Sequence, residues 1–144
     1  MRIPIVRLDP DLPLPTAQHV DDGGHDLCAR VDVELAPGGG RALVPTGMAV
    51  SIPPGYAGFI QPRSGLALKH GVTTLNTPGL VDAGYRDELK VILVNTDPTT
   101  PYRIERGDRI AQLVIQAVVR VEWDEVDDLG DSERNIGGFG STGR

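Results

Sequence analysis

With 144 residues, 40% of them hydrophobic and 24% charged, the chain has material for one domain with its own core. Its net charge of −6 argues against broad nucleic-acid binding, which needs a basic footprint, so a bound phosphate must be met by a local cluster; twelve of the fourteen basic residues are Arg, the side chain suited to bidentate phosphate contacts. The single Cys28 excludes an internal disulfide and a Cys-rich zinc site, no apolar run reaches the length of about 18 residues that spans a membrane, and the opening MRIPIVR is too short and charged for a signal peptide, so a cytoplasmic location is the expectation.

In chain order, Ile3 to Leu8 reads as a first strand, and the prolines at 10, 13 and 15 forbid regular structure after it. A Gly-containing loop leads through His25 and Asp26 into an alternating strand over 31–35. Residues 41–52 read as two short strands broken at Pro45-Thr46-Gly47, and 56–61 as another after Pro53-Pro54-Gly55. The stretch 64–70 is the one plausible helical turn. Strands are expected at 72–76, 88–95 and 102–105. The longest apolar segment, 109–121, is rich in β-branched residues and reads as a strand, although its length would allow a helix. Trp123 is expected in the core or an interface. From Gly130 the chain is Gly-rich with little to bury, which predicts a mobile arm over 130–144 after a domain spanning 1–129. Many short strands punctuated by Gly and Pro, with almost no helix, mean an all-β sandwich, jelly roll or barrel.

The chain is organised around Leu75 to Asn95, two apolar runs joined by Asp82-Ala83-Gly84-Tyr85. The pattern predicts a hairpin that presents Asp82 and Tyr85 at its bend, where strands hold a carboxylate and a ring in place. An Asx-turn at Asp82 is the plainer alternative. Pro62-Arg63-Ser64-Gly65 supplies a guanidinium, a hydroxyl and an open backbone N–H, the parts of a phosphate cradle, and equally an ordinary Ser cap beside a surface Arg. Gln112 lies inside an apolar run, and a buried amide needs partners. His19, His25 and His70 lack the spacing of a histidine metal site.

Five segments resemble, in order, the motifs of the trimeric dUTP pyrophosphatases (dUTPases): Gly24-His25-Asp26-Leu27; Pro62-Arg63-Ser64-Gly65-Leu66-Ala67; Gly79-Leu80-Val81-Asp82-Ala83-Gly84-Tyr85-Arg86; Arg106-Gly107-Asp108-Arg109-Ile110-Ala111-Gln112-Leu113; and Arg134 with Gly137-Gly138-Phe139-Gly140-Ser141-Thr142-Gly143. Each alone is weak, but five in the family's order are specific. Two positions depart from the pattern. His25 stands where an aromatic or aliphatic residue is more usual, and Asp87 where Gly is frequent.

The resemblance implies an all-β jelly roll of the dUTPase-like β-clip type, assembled as a homotrimer with shared sites, that hydrolyses dUTP to dUMP and pyrophosphate by water attack at the α-phosphorus. That reaction keeps uracil out of DNA and supplies dUMP for dTMP synthesis. It implies Asp82 as general base, and Mg²⁺ held by Asp26 through water. Arg63, Ser64, Gly65 and Gln112 would bind the phosphates, with Arg134, Ser141 and Thr142 closing over them. Asn76 and the backbone at Leu80 and Val81 would read uracil, Tyr85 would stack under the deoxyribose, Phe139 would stack on the base, and Lys90 would contribute nearby. No nucleic-acid or membrane partner is implied. A dCTP deaminase shares the fold but needs a deaminating carboxylate where this chain carries Asp82-Ala83-Gly84-Tyr85. A non-catalytic nucleotide-sensing trimer is the reading from a different class.

Overall fold

The computed structural model describes residues 1–132. It is an all-β jelly roll with one short helix. The elements are β1 (Ile5–Arg7), β2 (Gly24–Cys28), β3 (Val33–Leu35), β4 (Arg41–Pro45), β5 (Met48–Val50), β6 (Tyr56–Gln61), α1 (Ser64–His70), β7 (Val72–Thr74), β8 (Gly79–Val81), β9 (Lys90–Asn95), β10 (Tyr102–Ile104) and β11 (Arg109–Ala117). The strands form a four-stranded sheet in the order β2-β11-β6-β8, a three-stranded sheet β4-β9-β7, and the pairs β1-β5 and β3-β10. Every pairing is antiparallel.

Both larger sheets feed one core. Leu27, Ile60, Val81, Ala111 and Leu113 come from the first, and Val44, Val72, Val91 and Leu93 from the second. The local punctuation works as the sequence predicts. Gly55, at φ +83°, precedes β6, and Gly71, at φ +64°, ends α1 and returns its N–H to Ala67 O. α1 buries none of its residues, so its boundaries come from these signals rather than from packing. The segment 109–121 is a strand as far as Ala117. Among the described residues no helix is long and apolar enough to cross a membrane.

One expectation is corrected. Leu75 to Asn95 is not one hairpin. β9 has both edges taken, by β4 (Val44↔Val91) and by β7 (Thr73↔Val94), so β8 crosses to the other sheet and pairs with β6 (Phe59↔Leu80). The Asp82–Tyr85 turn therefore joins two sheets, closed by Tyr85 N–H to Asp82 O at 3.0 Å. Trp123, expected in the core or an interface, is 92% exposed and lies outside the core. Regular structure stops before it, at Ala117.

Candidate active site

One cluster forms around Asp26, which lies mid-strand on β2 and is 4% exposed. A buried carboxylate must be paired, and this one is met by four donors. Gln18 Nε2 and Arg109 Nη1 reach Oδ2 at 3.1 Å each, while Arg63 Nε (3.2 Å) and Gln112 Nε2 (3.4 Å) reach Oδ1. Arg63 also donates to Arg109 O at 3.1 Å, so its guanidinium is held at the start of α1 beside exposed Ser64 and Gly65.

A bulge makes the cluster possible. Along a regular strand residues 109 and 112 point to opposite faces. The β11–β2 register shifts between Arg109 and Ala111, so one extra residue is inserted, Ile110 and Ala111 are both buried, and Arg109 and Gln112 both turn to Asp26. Gly24 completes the arrangement: a Cβ there would come within 3.2 Å of the Gln112 amide. Gln18 and Arg109 were not singled out as site residues from the sequence. Arg109 sits within the fourth motif, and nothing local marks Gln18.

The second locus is a cleft of about 350 Å³ between the two sheets, lined by Asn76, Gly79, Leu80, Val81, Tyr85 and Lys90 among others. β8 is the outer strand of its sheet, so one edge of its backbone is open to a ligand. Asn76 lies over Gly79, where an added Cβ would meet Asn76 Nδ2 at 3.3 Å and Oδ1 at 3.7 Å. Tyr85 is fixed by donating its hydroxyl hydrogen to Glu88 O at 2.8 Å. Lys90 Nζ stands 3.8 Å from Asp87 Oδ2, so the unusual carboxylate at 87 faces that lysine.

Asp82 is exposed at the turn beside the cleft. The turn is closed by main-chain atoms, and no donor among the described residues binds the Asp82 carboxylate, in contrast to Asp97, whose Oδ1 accepts from the N–H groups of Thr99 and Thr100. The Asx-turn alternative is therefore not realised. No residue of the Asp26 cluster lines the cleft. Arg134, Phe139, Ser141 and Thr142 lie outside the described residues.

Among the described residues no three His, Cys, Asp or Glu side chains converge as a metal site. The Asp26 carboxylate faces two guanidiniums. Among the described residues this donor set leaves a cation no unengaged carboxylate oxygen. It is compatible with Mg²⁺ held through water, because that ion keeps several of its waters.

The dUTPase family model matches residues 11–143. The chain is 62% identical over 143 residues to a deoxyuridine 5'-triphosphate nucleotidohydrolase of Thermobifida fusca, covering 99% of this chain and 79% of that protein. It is 54% identical over 141 residues to the one from Corynebacterium diphtheriae, covering 98% and 92%. Among solved structures, the Staphylococcus bacteriophage 80alpha dUTPase with dUPNHPP superposes with a TM-score of 0.91 at 31% identity, covering 99% of each chain. A mutant dUTPase from phage phi11 of S. aureus, described as coordinating a structural Mg(II) ion, superposes at 0.82 with 27% identity over 90% of this chain and 99% of that one. By sequence over nearly its whole length and by fold, the chain belongs to the dUTPase family.

Proposed function

We propose that the protein hydrolyses dUTP to dUMP and pyrophosphate, with water attacking the α-phosphorus. The observation that carries this reading is Asp82, an exposed carboxylate with no donor among the described residues, on a turn one residue from the cleft-lining Val81 and three from Tyr85. A carboxylate not engaged by the fold can orient and deprotonate a water.

Uracil is read in the cleft by the open edge of β8 at Leu80 and Val81 and by the Asn76 amide, which offers both a donor and an acceptor. A cytosine edge leaves those groups unpaired, a strong ground for rejection. The Tyr85 ring packs under the deoxyribose and leaves no room for a ribose hydroxyl, and Lys90 flanks the cleft. Arg63, Ser64, Gly65 and Gln112 meet the phosphates, and Asp26 sets the orientation of Arg63 and Gln112 before substrate arrives. Arg134, Phe139, Ser141 and Thr142 of the 130–144 arm close over the site, and 1–129 forms the catalytic domain. Mg²⁺, held through water by Asp26, supplies charge neutralisation on the phosphates when bound.

The protein acts as a homotrimer with shared sites. Two observations support this. The Asp26 cluster and the cleft have no residue in common. Val119, Val121, Trp123, Val126 and Leu129 are also exposed in the segment that follows β11, apolar side chains left uncovered among the described residues of one chain. Pyrophosphate release from dUTP, dCTP, dTTP and UTP, with and without Mg²⁺, tests the reading. Turnover confined to dUTP supports it, whereas ammonia released from dCTP would assign a deaminase and silence with all four a sensing role.

A further inference from the structure

Glu88 is a buried carboxylate that the proposed chemistry does not use. Its side chain is 11% exposed, yet Oε1 accepts the Gly47 N–H at 2.7 Å and faces Arg30 Nη1 at 3.4 Å. Arg30 continues outward to Leu8 O (3.4 Å) and Asp9 Oδ2 (3.7 Å), and Asp9 is held on both oxygens by Arg106 Nη2 at 2.9 and 3.0 Å. Gly47 cannot move away. Its φ is +72°, and it lies so close to Asp9 that an added Cβ would stand 2.9 Å from Asp9 Cβ. On the other side, Leu89 N–H bonds Met48 O at 2.7 Å. The peptide group that carries the Glu88 carbonyl is therefore held by its own Leu89 N–H and by the Glu88 side chain, and that carbonyl is the acceptor of the Tyr85 hydroxyl.

A buried charge is costly, and an apolar side chain would fill the space with less penalty. What the carboxylate adds is position. Resting on the sugar-stacking role given to Tyr85 above, we propose that Glu88 and Arg30 are positioning residues for sugar selection. Through the clamped Glu88 carbonyl they hold the Tyr85 ring at the height that admits a deoxyribose and excludes a ribose. Neither side chain lines the cleft, so neither touches substrate. A ring held at one end by a hydrogen bond to a loose carbonyl can tilt, and a tilt of a fraction of an ångström is enough to admit one hydroxyl.

The test compares kcat/KM for dUTP and UTP in wild type, Glu88→Ala, Glu88→Gln, Arg30→Met and Tyr85→Phe, with Tm measured alongside. In Glu88→Ala the dUTP preference falls about tenfold, through a lowered KM for UTP, while kcat for dUTP at saturation stays within about twofold, the pattern of altered binding rather than lost chemistry. Glu88→Gln, whose amide oxygen can still accept the Gly47 N–H, retains most of the preference. Combining Glu88→Ala with Tyr85→Phe gives no further loss, because both remove one restraint. An unchanged preference in Glu88→Ala alongside a lowered Tm overturns the proposal and leaves Glu88 a packing element. If Glu88→Ala does not fold, Arg30→Met decides by the same two readouts. A wild type that turns over neither nucleotide overturns the function itself, an outcome distinct from an active enzyme whose preference these variants leave alone.

Discussion

Gln112 stands opposite Asp26 in the β11–β2 register, and its amide nitrogen lies 3.4 Å from Asp26 Oδ1, next to the 3.2 Å contact from Arg63. One buried carboxylate thereby aims a guanidinium at the start of α1 and an amide on β11, far apart in sequence. Asp26→Ala removes the acceptor of four donors. Stability should fall by about 2 kcal/mol, because the lost bonds are to a charged group but Arg63 and Arg109 can still reach water. Phosphate affinity should fall too, since both side chains lose their aim. Urea unfolding at fixed protein concentration and KM for dUTP check this. Unchanged values in both would make the cluster incidental.

Asp82→Asn keeps the turn, which is closed by the main chain, and removes only the proton acceptor. Binding of a non-hydrolysable dUTP analogue should persist while turnover falls about 10²-fold or more. Wild-type turnover in this variant would reduce Asp82 to a turn residue.

Gly79→Ala places a methyl 3.3 Å from Asn76 Nδ2 and 3.4 Å from Ile60 Cβ. The amide can yield more easily than the packed Ile60, so Asn76 should swing from the cleft floor. Losing its hydrogen bonds to the base is worth about 1–2 kcal/mol, so KM for dUTP should rise roughly tenfold with Tm little altered. A KM equal to that of wild type would remove Asn76 from base recognition.

Ending the chain after Leu129 removes Arg134, Phe139, Ser141 and Thr142 and keeps every core residue among the described ones. Melting temperature and oligomeric state should hold while kcat drops by orders of magnitude. Loss of the oligomer would make 130–144 a structural strap, and full activity would make it dispensable.

Two carboxylates contribute to the acid limb of stability. At Asp9 burial pushes the pKa upward, but hydrogen bonds from Arg106 and the Asp11 N–H, with the charges of Arg106 and Arg30, outweigh it and leave it below the ordinary 3.8. At Asp97 the N–H groups of Thr99 and Thr100 lower it against a smaller opposing effect of burial. A folded-state pKa below the unfolded one favours the native state above the unfolded value, and that stabilisation is lost as pH falls through the folded one. Wild type should therefore lose Tm progressively below about pH 4. The double variant Asp9→Asn, Asp97→Asn should start lower at neutral pH and decline less steeply on acidification. Parallel Tm-versus-pH curves would show that neither group governs the limb.

The sequence by itself determined the local elements and the family. β6 and α1 begin and end where Gly and Pro punctuation predicts, because a left-handed glycine or a proline acts on its own backbone without reference to the rest of the fold. The run from Arg109 is a strand because branched side chains favour extended backbone. Five motifs in order marked the dUTPase pattern, and Asp82, Asn76 and Tyr85 are exposed where a cleft or its rim can use them. Only the tertiary structure decided how these pieces meet. That β8 leaves its sequence neighbours for β6 depends on β4 and β7 having filled both edges of β9, a competition that pairs residues as distant as Arg41 and Val94. That Arg109 joins Gln112 on Asp26 depends on a one-residue bulge, and a period-of-two reading places the two on opposite faces. Gln18 and Glu88 carry no local signal, because what each does is set by the partners that pairing brings to it: a carboxylate across a strand edge for one, and Gly47 and Arg30 for the other.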